Sequence, residues 1–273
     1  MNLSNWLIQN EATLRLSFFI TIFAVMAIWE VLSPRRKLLL PKMDRWLNNI
    51  GLMVINTMAL RFVFPVAAVG LAIWLETQNQ GLLNKIELPL WLEIIFGLLL
   101  LDLLIYFQHR IFHSVPILWQ LHKVHHADLD FDVTTGARFH TLEILISMLI
   151  KMAAIYVLGV PAVAVLAFES LLNASSMFNH GNIRIPNHID KMVRYVFVTP
   201  DMHRIHHSRI QKEANSNYGF SISAWDRLFK TYTSKPNKGQ VGMDIGISEN
   251  QSHHQTNRLD GMMLMPFRKG SQQ

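Results

Sequence analysis

The chain has 273 residues, 51% of them hydrophobic and 16% charged, with a net charge of +6. A soluble domain carries about 25% charge, so this composition excludes an ordinary soluble domain, and the apolar content excludes disorder over most of the chain. Cysteine is absent, which excludes disulfides, thiolate metal sites, iron–sulfur clusters and a cysteine nucleophile.

Residues 16–29 (LSFFITIFAVMAIW) carry no charge, and the run continues to Leu32 with Glu30 as its one charge. A membrane crossing needs about 20 apolar residues, so this is a first span. A cleaved signal peptide fits poorly, because Glu11 precedes the run and no A-x-A site follows it. Residues 46–75 form a second run interrupted by Arg61, and residues 88–107 a third with Glu93 and Asp102. Residues 144–183 are 40 positions holding two charges, Lys151 and Glu169. At about 1.5 Å per residue they reach about 60 Å, two crossings of a core of about 30 Å. Gly159 and Pro161 interrupt them, so the reading is a helical hairpin over 144–180 that turns at 159–161. Charges inside membrane runs default to function or pairing, and Lys151 and Glu169 sit on facing arms of this hairpin.

The segment after the first span holds Arg35, Arg36, Lys37, Lys42 and Arg45, whereas residues 76–89 hold Lys85 as their one basic residue. The positive-inside rule therefore places 33–45 in the cytoplasm and 76–89 outside. The third span returns inward, the hairpin leaves and re-enters, and all from 181 onward is cytoplasmic. The expected fold is an all-α integral membrane protein of about five crossings with a cytoplasmic, histidine-rich helical cap. By organisation, 1–107 are N-terminal spans, 108–233 a catalytic region that includes the hairpin, and 234–273 a cytoplasmic tail with an apolar patch at 259–267.

Of 13 histidines, 11 lie between 109 and 207. This topology puts all of them on one side of the membrane, although charge alone was used to derive it. His109 and His113 are spaced i, i+4. His122, His125 and His126 are spaced i, i+3, i+4, and His203, His206 and His207 repeat that spacing. Positions three and four apart share a helix face, so each cluster offers two or three imidazoles to one point. Imidazole suits iron, zinc, copper and nickel. Eight such histidines exceed the needs of one ion and suit two. There is no H-E-x-x-H, E-x-x-H, G-x-S-x-G, G-x-G-x-x-G or Walker A pattern. Neutral imidazoles leave two divalent ions strongly positive, which favours anionic oxygen ligands and points to iron and O₂.

H-x-x-x-H followed by two copies of H-x-x-H-H among apolar spans resembles the fatty acid hydroxylase and sterol desaturase superfamily. The stretches WQLHKVHHADLDFDVTTGARFHTLE (119–143), TPDMHRIHHSR (199–209), SNYGFSISAWDRLFKTY (216–232) and MMLMPFR (262–268) resemble its bacterial sterol-desaturase-like branch. The resemblance runs over about 45–268 and treats that stretch as one domain. It implies a membrane di-iron oxygenase that uses O₂ and external electrons to hydroxylate or desaturate a lipid C–H bond. It also implies a ninth ligand, His180, just past the hairpin. A sister pattern has a further histidine where this chain has Ser176, so a tenth position falls to water or to a side-chain oxygen of Ser176 or Asn173. The expected metal set is His109, His113, His122, His125, His126, His180, His203, His206 and His207, holding two iron ions, with zinc accepted by the same imidazoles and O₂ as co-substrate.

Supporting roles fall to His140, Glu143 and Asp226. Glu143 or Arg138 would orient a ligand, and Asp226 would accept an N–H from a ligating histidine or cap a helix. His140 reads as support or as a loop anchor. Asn217-Tyr218-Gly219 reads as a turn, and His188, beside Pro186, as a surface residue, as do His253 and His254 in the polar tail. Electrons would come from a separate ferredoxin or cytochrome with its reductase, steered by the basic residues at 33–45 or 204–212. No nucleic acid is involved, and the setting is a bacterial inner membrane. The alternatives are a zinc-dependent membrane hydrolase, with Glu143 the nearest base, and a metal-binding or transport protein, whose ligands should lie in mid-span rather than at span ends.

Overall fold

The computed structural model of the protein describes residues 3–248 and 252–268, with the side chain of His253 outside the described residues. Among the described residues every regular element is helical. α1 (Leu3–Gln9) leads into α2 (Glu11–Leu32), α3 (Lys42–Val63) and α4 (Ala67–Thr77). α5 (Leu90–Ser114) and α6 (Pro116–His126) follow, then the hairpin of α7 (Thr141–Leu158) and α8 (Ala162–Asn179). α9 (Asn187–Val193) and α10 (Pro200–His206) begin the last third, which continues in short turns to Phe267. Five segments are long and apolar enough to cross a membrane: α2, α3 with α4, α5, α7 and α8. They leave Leu16, Ile20, Ile28, Phe62, Trp91 and Leu149 exposed, a surface suited to lipid rather than water.

The hairpin forms where the sequence places it. Gly159 ends α7 in the left-handed conformation (φ 65°), its N–H bonding the Ile155 carbonyl at 2.8 Å. Pro161 then starts α8. A Cβ on Gly81 would lie 2.3 Å from Gly159 Cα, so the hairpin tip and the 78–82 loop meet backbone to backbone. Leu82 N–H donates to Val157 O and Ala162 N–H to Glu76 Oε1. At 18 residues each, the arms are about 27 Å long, close to one hydrocarbon core.

The second apolar run is built differently from one continuous crossing. Asn56 bonds the Phe139 carbonyl and the Thr141 hydroxyl, which sets it level with the start of α7. The half of α3 before it packs into the cap, burying Arg45, Asn49 and Leu52. The crossing is made by the last turns of α3 and by α4, which packs on α7 and α8. Pro65, which lacks an N–H, lies at the break between them. The core of the membrane part is Ala68, Ala72, Leu75, Leu101, Ile155 and Val165 with their neighbours.

Lys151 and Glu169 form the expected ion pair across the hairpin, and Arg15 of α2 pairs with the second oxygen of Glu169. Arg61 is exposed. At the opposite end from the hairpin tip, Arg35 pairs with Asp201 at 2.9 Å, Leu39 and Leu40 N–H donate to Asp130, and Arg36 N–H donates to Asn182. Residues 33–45, the 108–141 region and the chain after 181 therefore share one end. The apolar tail patch seats there too, with Met262 and Met265 packed on Leu52, Val124 and Ala127.

C-terminal reporter fusions truncated after residues 40, 130, 180 and 240 should all report the cytoplasm, and one after 82 the outside. A cytoplasmic signal at 82 would contradict this arrangement.

Candidate metal centre

α5 ends at the cap with His109 and His113 one turn apart. α6 starts at once, with Pro116 in its first turn, and carries His122, His125 and His126. α10 starts with Thr199 as N-cap, its side chain accepting from Met202 N–H, and Pro200 behind it. His180 caps the C-terminus of α8. These four ends meet, and the nine histidines fall into two groups. One is His109, His113, His122, His126 and His206; the other is His125, His180, His203 and His207. Within each group one ring nitrogen per residue lies within 4.8 Å of every other.

Each H-x-x-H-H triad is thus divided between the two points, where the spacing alone suggested one. His122 and His126 stay together, as do His203 and His207. The intervening members, His125 and His206, cross to the opposite group. Adjacent residues on a helix differ by about 100°, so the arc of one triad is wide enough to serve two points. Aromatic neighbours hold the rings. Phe139 stacks on His125 with centroids 4.3 Å apart, Trp119 packs on His113 and His126, and Phe131 on His180 and His207.

The hydrogen bonds of the rings define their chemistry. His109 Nδ1 faces the Tyr218 carbonyl at 2.8 Å, His206 Nδ1 that of Ser216 at 2.8 Å, His180 Nδ1 that of Ser176 at 2.7 Å, and His125 Nδ1 that of Arg138 at 3.2 Å. A carbonyl only accepts, so each Nδ1 donates and leaves its neutral ring with an Nε2 lone pair. His122 Nδ1 meets Glu143 Oε1 at 2.6 Å. The Nε2 atoms of His109, His122 and His206 are buried without a partner. In the second group His180 Nε2 lies 3.1 Å from His125 Nε2, 3.2 Å from His207 Nε2 and 3.0 Å from His203 Nε2. Nitrogens about 2.0–2.1 Å from one ion in tetrahedral or octahedral geometry are about 2.9–3.4 Å apart. Burial and the neighbouring imidazoles hold His125, His126, His203, His206 and His207 well below the usual histidine range, and burial holds His180 at about 4. Neutral imidazole is the ligand form. The donor set fits two ions.

The supporting residues act at different distances. Glu143 binds a histidine directly, through His122. Arg138 uses its carbonyl for His125, while its guanidinium bonds Val124 O and Asn49 Oδ1. Asp226 touches no histidine among the described contacts. It accepts N–H groups of Tyr218 and Gly219, each at 2.8 Å, and the Thr231 hydroxyl at 2.7 Å. It therefore shapes the turn whose Tyr218 carbonyl receives His109. A Cβ on Gly219 would stand 2.6 Å from Asp226 Oδ2, so glycine permits that approach. Asn217 takes the left-handed conformation (φ 55°) and its amide bonds the Met202 and Thr233 carbonyls. His140 lies outside both groups; it caps α7 through Leu142 N–H and meets the Met263 carbonyl. Ser176 Oγ donates to Gly136 O at 2.7 Å. His188 and His254 are exposed.

The 127–138 loop rests on a buried charge network. Arg45 bonds both oxygens of Asp128, at 2.9 and 2.7 Å, and Asp132 at 2.5 Å. Burial pushes the Asp128 carboxyl up, and Arg45 and Arg138 outweigh it, leaving it below the usual carboxylate range. Sequence reasoning assigned no role to Phe139 or Trp119, though both lie inside the quoted motifs, and it read Arg45 as a topology signal rather than as a buried partner of Asp128.

The family profile described as fatty acid hydroxylase matches residues 94–231, which contain all nine histidines. The chain belongs to the fatty acid hydroxylase family. Ornithine lipid hydroxylase OlsE of Rhizobium tropici is 25% identical over 236 residues, 84% of this chain and 70% of that protein. Alkylglycerol monooxygenases are similar over a shorter stretch. The Homo sapiens protein is 25% and the Xenopus tropicalis protein 26% identical over 148 residues, 52% of this chain and 31% of theirs. No solved structure matches.

Protein purified with metal should hold about two ions per chain, and His125→Ala or His206→Ala should each bring this nearer one, since each belongs to a different group. Elemental analysis measures it. Unchanged occupancy in either variant would remove that residue from its group.

Proposed function

We propose that this chain is a membrane di-iron oxygenase that hydroxylates, or desaturates, a C–H bond in the apolar chain of a lipid. The observation that carries the reading is that residues lining an apolar cavity of about 410 Å³ also hold the histidine groups. Three of its lining residues contact the histidines: Phe139 stacks on His125, Glu143 bonds His122, and Ser176 receives His180. Both groups therefore lie one residue behind the same cavity wall.

The cavity lies between two helix pairs. α2 packs on α8 and α3 on α7, and the space between them is lined by Phe19 and Phe23 from one side and Ile50, Met53 and Leu60 from the other. A lipid chain enters this space laterally, from the bilayer. Its burial stabilises binding by about 0.8 kcal/mol per CH₂ and fixes which carbon lies at the histidines. The apolar walls exclude water from the reacting carbon.

Hydroxylation balances as RH + O₂ + 2 e⁻ + 2 H⁺ → ROH + H₂O. The nine histidines would hold two irons, which would supply the O₂ activation. The residues of the chain supply the rest: neutral imidazoles held by carbonyl acceptors, Glu143 fixing the ring of His122, and walls that position the substrate. The electrons come from a separate carrier, a ferredoxin or a cytochrome with its reductase. Arg209 and Lys212 are exposed beside α10 and suit an acidic carrier. Arg204 does not serve, since it is buried against Asp201. The relatives are named for an ornithine lipid and for alkylglycerol; a lipid substrate and a bacterial inner-membrane setting with the histidines cytoplasmic are proposed here.

With ¹⁸O₂, reductant and a membrane lipid extract, label should enter the lipid product if the reaction is hydroxylation, and lipid unsaturation should rise without label if it is desaturation. His180→Ala should be inactive and lose metal, while His188→Ala, on the exposed face of α9, should stay near normal. Label arriving from water instead would contradict the oxygenase reading.

A further inference from the structure

The nine histidines are not equally covered. His113 is half-buried, whereas the other eight are buried. Phe139 covers His125, Phe131 covers His180 and His207, and no ring of the four-histidine group is more than 1% exposed. The five-histidine group reaches the surface through His113, at the end of α5. From that ring the way inward is short. His113 Nε2 lies 3.1 Å from His126 Nε2, and the His126 ring stacks on His207 of the other group with centroids 4.4 Å apart.

The surface around His113 is cationic. Asn215 is exposed beside it, and Tyr218 packs on the ring with centroids 5.3 Å apart. Arg110, one turn before His113 on α5, is exposed by Tyr218. Lys212 is exposed three residues before Asn215. The chain over 230–237 runs alongside, through Asn217 N–H to Thr231 O at 2.9 Å and Asn237 N–H to Glu213 Oε1 at 2.6 Å, and adds exposed Lys230 and Lys235. Two acids occur between 209 and 238, Glu213 and Asp226, and both are buried and bonded to backbone N–H groups. The exposed charge of this stretch is therefore of one sign. The other basic segment, 33–45, is tied up within the fold: Arg35 pairs with Asp201, Lys42 with Glu30 and Arg45 with Asp128, and Arg36 donates to the Met243 carbonyl. It leaves Lys37 exposed.

Electron transfer slows steeply with distance, and a surface of one sign gathers carriers of the other. We propose that an acidic electron carrier docks over Asn215, between Arg110 and Lys212, and delivers electrons at the His113 edge, so that they enter through the five-histidine group. The proposal rests on the oxygenase reading and adds to it the point of entry. Each encounter oxidises the carrier by one electron and reduces the metal centre by one. Two encounters supply the two electrons of the balance above, and the two protons come from water.

The absence of cysteine allows a single position to be capped. Asn215→Cys, Lys37→Cys and His188→Cys are each prepared full-length in phosphatidylcholine nanodiscs, loaded with iron and oxidised, and half of each sample is modified with a bulky uncharged maleimide. Reduction by reduced plant-type ferredoxin, an acidic carrier, is followed spectroscopically in stopped flow, without O₂ or lipid substrate. Modification of Asn215→Cys should slow reduction by about tenfold or more at low salt, with iron content unchanged. Modification of Lys37→Cys or His188→Cys should leave the rate near that of the unmodified half. Arg110→Glu combined with Lys212→Glu should slow ferredoxin and flatten its dependence on ionic strength, while reduction by methyl viologen radical, a small cation, is not slowed. An equal rate before and after modification of Asn215→Cys, or a greater loss from modified Lys37→Cys, would overturn the proposal. Comparison within each sample keeps misfolding from imitating the effect. Protein that takes up no iron would overturn the oxygenase reading along with this one. Iron-loaded protein that fails the ¹⁸O₂ experiment and still shows the Asn215 effect would leave the point of entry standing.

Discussion

Nine imidazoles in a buried cap, with ring nitrogens turned toward one another, are the constraint on which the rest of the structure depends. The Nε2 lone pairs of His125 and His180, 3.1 Å apart with both Nδ1 protons given to carbonyls, repel unless a cation lies between them. The remaining contacts keep the rings so arranged. Four backbone carbonyls and Glu143 take the protons on the outward nitrogens. Asp226 and Asn217 shape the turn that supplies one of those carbonyls, and Arg45 anchors the loop that supplies another. Breaking a buried pair such as Arg45–Asp128 costs about 3–5 kcal/mol, enough to displace His125 with that loop.

The membrane helices have a second purpose besides anchoring the cap. α7 and α8 are joined by the glycine turn at 159 but pack chiefly on other helices, α7 on α3 and α4 and α8 on α2, α4 and α5, while Lys151 and Arg15 both pair with Glu169 and Arg15 also pairs with Glu11. The α2–α8 and α3–α7 pairs leave an apolar space between them. The histidine groups lie behind its wall, against Phe139, Glu143 and Ser176. A transporter would be expected to hold its ligands in mid-span. Placement at the span ends, above an apolar cavity, suits an enzyme acting on a chain drawn from the bilayer.

Much of this was legible in the sequence because it is local. The i, i+3 and i, i+4 spacings put imidazoles on one helix face whatever the tertiary fold, and Gly159 with Pro161 marked the hairpin turn. His180 was visible through resemblance alone, because a single histidine after an apolar run has no spacing to identify it. The division of each triad between two groups was not legible, since it depends on how α6 and α10 face each other. Asp226 was read as a histidine partner because carboxylates often are; its partners are backbone N–H groups of a turn seven residues earlier. The break in the second apolar run was not legible, because hydropathy does not separate a cap-buried stretch from a lipid-buried one. Composition likewise could not distinguish cavity-lining phenylalanines from lipid-facing ones.

The central claim is that two ions share an environment of imidazoles alone, five from one group and four from the other. X-ray absorption on metal-loaded protein tests it most directly. The account predicts nitrogen neighbours at about 2.0–2.2 Å with the outer-shell pattern of imidazole, about four to five per ion, and oxygen only at positions left for solvent or O₂. A shell dominated by carboxylate oxygen, or a spectrum explained by a single ion per chain, would contradict it.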